Sequence, residues 1–265
     1  MYSRFQLAKK YIHYYLTASN GKGHGIHSPF VYDFVANVLN DRRHFYPYDS
    51  IEVMRDRLLT DQTLLEVDDF GAGSVTGSKK QRTVASIAKN AAKSKKLCRL
   101  LFRIVHNYKP RNILELGTSL GISSAYMASA SPRAKLVTIE GAASVAETAK
   151  GNHRQLQLQN IRVITGRFED KLDQVLSEMN SVDLAFIDGN HRFDATRRYF
   201  DQLVHKANAG SIFIFDDIHW SEEMEDAWRV IKADKSVLAT IDLFFIGIVL
   251  FNPAFKSKQH FTIRF

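Results

Sequence analysis

Residues 112–121 read Asn-Ile-Leu-Glu-Leu-Gly-Thr-Ser-Leu-Gly. A short apolar run carrying one acid ends at a pair of spaced glycines, the pattern of a buried strand entering a tight turn. Residues 122–131 then have helical composition. The alternation repeats down the chain: strands are predicted at 113–116, 136–140, 161–165, 182–187 and 211–215, with helices at 142–159, 169–179, 194–207 and 221–232. Strands joined by helical crossovers imply a mostly parallel sheet covered on both faces. Two last strands, 237–241 and 244–251, lie too close for a crossover helix. They are expected to form an antiparallel hairpin at the sheet edge.

The expected fold class is therefore α/β: a Rossmann-like, seven-stranded, mostly parallel sheet with a terminal antiparallel hairpin, plus an N-terminal helical extension. Residues 1–110 form that extension and 111–265 the α/β domain. Helices are predicted at 3–16, 29–39, 51–59 and 83–106, with glycine-containing loops at 21–25 and 69–74. This tyrosine- and histidine-rich part suits a cap over a site, a dimerisation surface, or both.

Composition narrows the classes. Of 265 residues, 45% are hydrophobic, enough for a sizeable core. Cys98 is the single cysteine, which excludes an internal disulfide and a cysteine-rich zinc site and fits a reducing cytoplasm. The N-terminus lacks the apolar core of a signal peptide. The run 243–251 is far short of the roughly 20 residues that cross a bilayer, so no membrane association is expected. The net charge is +8, and all of the excess is N-terminal: residues 1–110 carry 18 Lys/Arg and 9 Asp/Glu, residues 111–265 carry 18 and 19. Residues 79–103 hold nine basic residues and no acid. Such a run is a solvated helix face or an attractor of anionic partners.

Open parallel sheets bind ligands at the carboxyl ends of their strands. At the first such end, Gly117 permits a tight turn and Gly121 lets the chain pack closely where a helix begins. Glu115 brings a carboxylate beside the turn, with Thr118, Ser119 and Ser123 around it. A dinucleotide loop needs a third glycine because a pyrophosphate lies against the helix N-terminus. This loop lacks that glycine and offers an acid. S-adenosylmethionine (SAM) has no phosphate but carries an ammonium and a sulfonium, which an acid suits. Glu140, followed by Gly141, ends the second strand about 20 residues later, where an acid accepts hydrogen bonds from ribose hydroxyls. Gly166-Arg167-Phe168 follows the third strand, where an adenine would lie and Phe168 would stack on it or pack into the core.

The fourth strand ends in Asp188-Gly-Asn-His191 and the fifth in Asp216-Asp217. These strands are expected to be neighbours, about 5 Å apart, so Asp188, Asp216 and Asp217 should converge at the cofactor crevice. Carboxylates so close repel unless a cation joins them. Oxygen-rich clusters suit Mg²⁺ or a similar hard divalent ion. A metal on an acceptor hydroxyl would lower its pKa and orient it. His191 would then take the proton as general base, or hold Asp188 as a neighbour.

These residues carry a family likeness. The segment from about residue 112 to 251 resembles the class I SAM-dependent methyltransferases. Within them it resembles the metal-assisted small-molecule O-methyltransferases, such as the catechol and caffeoyl-coenzyme A types. The Asp188-Gly-Asn-His191 string is closer to macrolide-sugar O-methyltransferases, in which a metal-binding Asp precedes a catalytic His by three. The resemblance implies that Glu115, Gly117, Ser119 and Gly121 belong to the SAM loop and that Glu140 is the ribose acid. It implies Asp188, Asp216 and Asp217 at the metal and His191 as base. Asp188 also borders the cofactor. The chain departs from the catechol pattern, which has Asp-Asn at 216–217 and no such histidine. The expected activity is O-methylation of a small hydroxylated compound, with SAM as cofactor, Mg²⁺ as candidate metal, and a homodimer as one possible assembly.

Three rivals have their own signatures. An RNA methyltransferase would use the basic 79–103 stretch on a nucleic-acid backbone, but the Asn/Asp-Pro-Pro-Tyr/Phe string of base amino-group methylation is absent. A nicotinamide-dependent oxidoreductase is disfavoured by the missing third glycine and the closing hairpin. A non-catalytic SAM-binding module is the third.

Overall fold

The computed structural model describes residues 1–23, 27–68 and 79–265. The loop expected at 69–74 and part of the one at 21–25 lie outside them. The elements are α1 (Arg4–Thr17), α2 (Pro29–Phe34), α3 (Pro47–Leu58), β1 (Leu64–Asp68), β2 (Lys79–Thr83), α4 (Val84–Asn90) and α5 (Lys95–Tyr108). Then come β3 (Asn112–Leu116), α6 (Ile122–Ala130), β4 (Lys135–Glu140), α7 (Ala143–Gln155), β5 (Ile161–Thr165) and α8 (Phe168–Glu178). The remainder is β6 (Leu184–Ile187), α9 (Phe193–Val204), β7 (Ile212–Asp216), α10 (Glu222–Ala233), β8 (Ala239–Asp242), β9 (Ile246–Leu250) and β10 (Gln259–Thr262).

The class is the expected one, a mostly parallel sheet flanked by helices, but with eight strands rather than seven. β1 and β2 form a separate antiparallel pair. The chain packs as two compact bodies: Arg42–Met179, and Met1–Asp41 with Asn180–Phe265.

In the Arg42–Met179 body, β3, β4 and β5 run parallel, with Leu114 opposite Val137 and Thr138 opposite Val163. Helices α3 to α7 bury an apolar cluster that includes Ile51, Leu58, Phe102, Tyr126 and Val145. The single helix expected over 83–106 is two helices, with a strand before them. Thr83 caps α4 by accepting a hydrogen bond from the Ser86 amide, and Ser94 restarts the chain by accepting one from Leu97. The intervening Ala-Ala-Lys favours helix, so composition concealed the break. The basic run is consequently not one face. Lys95 pairs with Glu52 at 2.8 Å, and Arg99 lies over the Tyr48 ring.

In the other body, β6 and β7 are parallel, and β9 runs antiparallel to both β7 and β8. The expected hairpin therefore exists, but it is not the edge: β10 pairs parallel to β8 beyond it. β6, β7 and β9 are buried along their whole length, as strands covered on both faces must be. Helix α1 is started by a capping box between Ser3 and Gln6. It is fixed by Lys10 to Glu225 at 2.9 Å and by the Tyr2 hydroxyl donating to Glu225 at 2.8 Å. Tyr14 donates to the Ile263 carbonyl. Among the described residues no helix is long and apolar enough to cross a membrane.

His219 ties this body together. Its Nδ1 is 2.9 Å from Glu225 and its Nε2 2.8 Å from Asp242. A neutral imidazole has one N–H, so donating to both carboxylates requires the imidazolium. Burial opposes that charge, but Asp242 and Glu225 outweigh it and raise the pKa above the ordinary histidine value. A raised native pKa gives stability that is complete below the unfolded-state pKa and fades as pH climbs through the native one. Thermal melts from about pH 6 to about pH 9 should therefore show a fall in midpoint that His219→Gln lacks. Equal pH profiles for the two proteins would contradict the bridge.

Candidate functional site

The turn after β3 is built from left-handed backbone. Gly117, Ser119 and Gly121 have φ of 105°, 48° and 82°. Glycine adopts such angles freely, but serine is strained there. The Gly117 and Thr118 amides donate to the Ile139 carbonyl at 3.0 and 3.3 Å. The Ser119 amide donates to Glu140 Oε2 at 2.8 Å, and the Ala142 amide donates to Oε1 at 3.0 Å. Glu140 thus holds its own bend at Gly141 and the tip of the turn.

Glu115 lies beneath this turn, fully buried. Its carboxylate accepts hydrogen bonds from Ser123 Oγ at 2.5 Å and Thr138 Oγ1 at 2.7 Å. Thr138 has one hydroxyl proton and gives it to Glu115. The Thr118 hydroxyl, 2.6 Å away, must therefore be the donor to Thr138. Glu115, Thr118 and Ser123, expected around one loop, are joined in one network. Arg167 precedes α8 and is exposed, 3.8 Å from Glu169, and Phe168 is half-buried at the helix start. The Gly166 amide just before them donates to the Glu140 carbonyl at 2.8 Å.

Two residues missed from sequence brace the turn from α7. Asn152 Nδ2 donates to the Leu120 carbonyl at 2.9 Å, while its oxygen accepts from Arg57 at 2.8 Å. His153 Nε2 is 3.1 Å from the Gly121 carbonyl and 3.0 Å from Ser124 Oγ. Burial lowers the His153 pKa to about 4, the Gly121 carbonyl partly opposing this. The ring is neutral near pH 7, and since a carbonyl only accepts, the proton sits on Nε2. Nothing in the spacing of an Asn-His pair some 30 residues downstream signals this.

The second group lies in the other body. Ile187 pairs with Phe215, so Asp188 and Asp216 leave parallel strand ends side by side. Asp188, His191 and Asp216 each offer a ligand atom within 4.8 Å of the others. His191 Nε2 is 3.7 Å from Asp188 and 3.9 Å from Asp217, beyond hydrogen-bond distance. Asp216 is buried, while Asp188, His191 and Asp217 are partly exposed. The expected convergence holds for Asp188 and Asp216, with His191 as their third member; Asp217 adjoins through His191. Asn190 and Asp217 take left-handed φ of 52° and 54°. Asp217 is held there by its amide donating to the Phe245 carbonyl at 2.6 Å. Two carboxylates at this spacing suit a divalent cation of the Mg²⁺ or Mn²⁺ kind, and the imidazole beside them can accept a proton.

The turn makes a direct test. A β-carbon on Gly121 would stand 2.4 Å from His153 Nε2, on backbone that side chains avoid. Gly121→Ala should destabilise the protein by about 2 kcal/mol or more in urea unfolding. An unchanged midpoint would mean the turn is not held as described.

Residues 114–218 match the sequence model of a family described as methyltransferase domain. A protein of Sinorhizobium fredii (strain NBRC 101917 / NGR234), y4gI, is 26% identical over 142 residues, covering 48% of this chain. This chain spans only 15% of that relative's length. The fold is shared with the O-methyltransferase TomG from Streptomyces achromogenes, solved with SAM (TM-score 0.53, 23% identity, 61% of this chain and 82% of that one). It is shared with an O-methyltransferase from Bacillus cereus in complex with S-adenosylhomocysteine (0.55, 20%, 83% and 97%). It is also shared with the Podospora anserina methyltransferase PaMTH1, bound to S-adenosylhomocysteine (0.59, 14%, 85% and 97%). Residues 114–218 thus match a methyltransferase-domain family, and the chain shares the fold of methyltransferases solved with SAM or S-adenosylhomocysteine.

Proposed function

We propose that this protein is a SAM-dependent methyltransferase that methylates a hydroxyl oxygen of a small acceptor with help from a divalent cation. Residues 1–110 serve as a mainly helical extension of the methyltransferase domain at 111–265. The observation that carries the oxygen-acceptor reading is the Asp188–His191–Asp216 cluster at the ends of β6 and β7. The names of the structural relatives, O-methyltransferases solved with SAM or its product, support it.

Each group has a role. The turn from Gly117 to Gly121, with Thr118, Ser119 and Ser123, holds the amino-acid end of the cofactor, and the buried Glu115 keeps the turn in shape. Glu140, beside Gly141, takes the ribose hydroxyls. Arg167 and Phe168 cover the adenine. SAM, when bound, supplies an electrophilic methyl group, which is attacked in line. Asp188 and Asp216 would hold the cation, with Asp217 as a neighbouring carboxylate; such an ion lowers the pKa of a hydroxyl and orients it. His191 accepts the hydroxyl proton as the oxygen–methyl bond forms.

The cation can be tested before any acceptor is known. Mn²⁺ titrated by electron paramagnetic resonance should bind the wild type about tenfold or more tightly than Asp188→Asn or Asp216→Asn. Equal binding by all three, with folding intact, would remove the cation from this reading. With an acceptor in hand, full methyl transfer in EDTA, or by folded Asp188→Ala, would sink the assisted mechanism.

A further inference from the structure

Helix α1 turns one side to its own body and the other to solvent. Tyr14 is buried, and Leu7, Lys10 and Tyr11 are half-buried. On the opposite side Phe5, Ile12 and Leu16 are 80%, 59% and 70% exposed. At 3.6 residues per turn these three lie within about 40° of one another, and Tyr14 lies on the reverse side. They therefore form a single apolar ridge, which the exposed Ala8 and Tyr15 broaden along one shoulder. The outer side of a surface helix ordinarily carries polar residues. Here it is the ridge that points away from the core. Folding does not need it, because α1 is held from its inner side by Lys10 and Tyr2 on Glu225 and by Tyr14 on the Ile263 carbonyl.

Charge marks the same end of this body. Residues 1–32 contain four Lys/Arg and no Asp/Glu, and residues 243–265 contain three and none. The two stretches meet where Ser19 bridges to Ile263 and the Ser19 amide donates to the Thr262 carbonyl at 2.9 Å. The remainder of the body, 33–41 and 180–242, is acidic, with seven Lys/Arg and fourteen Asp/Glu. Arg4, Lys9 and Lys22 at the basic end are exposed. The acids that approach α1 are already committed, Glu225 to Lys10 and His219, and Asp242 to His219.

We propose that the outward side of α1 is a docking surface for an anionic phospholipid membrane. The helix lies along the bilayer surface, with Phe5, Ile12 and Leu16 among the acyl chains and Arg4 and Lys9 at the headgroups. Docking of this kind is independent of methyl transfer. The expectation of no membrane association rests on the absence of a spanning run, which a helix resting on a bilayer does not need.

The pairing of ridge and charge selects the partner. A nucleic-acid backbone would engage Arg4 and Lys9 but leave Ile12 and Leu16 in water. A second copy of α1 would set basic residues against basic residues, with no acid in 1–32 to pair them. A groove on another protein must match a convex ridge in shape, whereas fluid acyl chains adapt to it. An anionic bilayer answers both features, since charge draws the basic end in and apolar burial holds it there.

The test floats the full-length protein with vesicles of phosphatidylcholine alone, or of phosphatidylcholine with an equal part of phosphatidylglycerol. Binding to the mixed vesicles and not to the uncharged ones is expected. Phe5→Ser combined with Leu16→Ser should weaken it about tenfold or more, and Arg4→Gln combined with Lys9→Gln about tenfold. All four positions are exposed, so circular dichroism and melting midpoint should match the wild type in both double variants. Sedimentation velocity reports whether the ridge instead joins two copies. Absence of binding to the mixed vesicles, binding by either folded double variant equal to that of the wild type, or equal affinity for uncharged vesicles would overturn the proposal. A dimer that Phe5→Ser with Leu16→Ser splits would overturn it too, by giving the ridge to a second copy.

Discussion

A carboxylate with no access to water must find its hydrogen bonds inside the protein, since an unpaired buried charge costs several kcal/mol. Glu115 is in that position, and meeting its needs organises the turn that follows. Ser123 comes to it from the first turn of α6 and Thr138 from the next strand. Thr138 in turn fixes Thr118, in the middle of the loop. The strand, the loop and the helix are thereby locked to one another at atoms only a few bonds apart. The loop's left-handed residues are the geometric consequence, because a chain that must double back within five residues has few other conformations. Glu140 and the Asn152–His153 pair then secure the outer side of the same turn.

The Met1–Asp41 and Asn180–Phe265 body follows a similar logic with different chemistry. Parallel pairing of β6 and β7 sets Asp188 and Asp216 side by side. His191 stands close to both, too far for a hydrogen bond to Asp188. Behind them a chain of charges runs from Lys10 through Glu225 and His219 to Asp242. It fastens the N-terminal helix to this body. Charge pairing here does structural duty.

Most of the strands were legible because buried parallel strands are apolar runs of characteristic length, and 161–165 matches residue for residue. The glycine turn and the acids at strand ends were legible for the same reason: their positions follow from topology. What escaped notice depends on contacts that span long stretches of chain. The gap between α4 and α5 is written in Ala-Ala-Lys, which carries no breaker, and Ser94 reveals itself as a cap only once the break is known. β10 has one alternating apolar position in four residues, too faint a signal for an edge strand. The His153 brace and the His219 bridge join residues about 30 and 20 positions from their partners. Helix α1 was legible as a helix in a part suited to cap a site, but its sequence does not show which side chains it packs against.

The central claim is that the turn built over Glu115 receives a nucleoside with a sulfonium or thioether, not a dinucleotide. Calorimetric titration of the purified, folded protein with S-adenosylhomocysteine, and separately with NADH, tests it most directly. Micromolar binding of S-adenosylhomocysteine and none of NADH is expected. Tight binding of NADH with no heat from S-adenosylhomocysteine would contradict it.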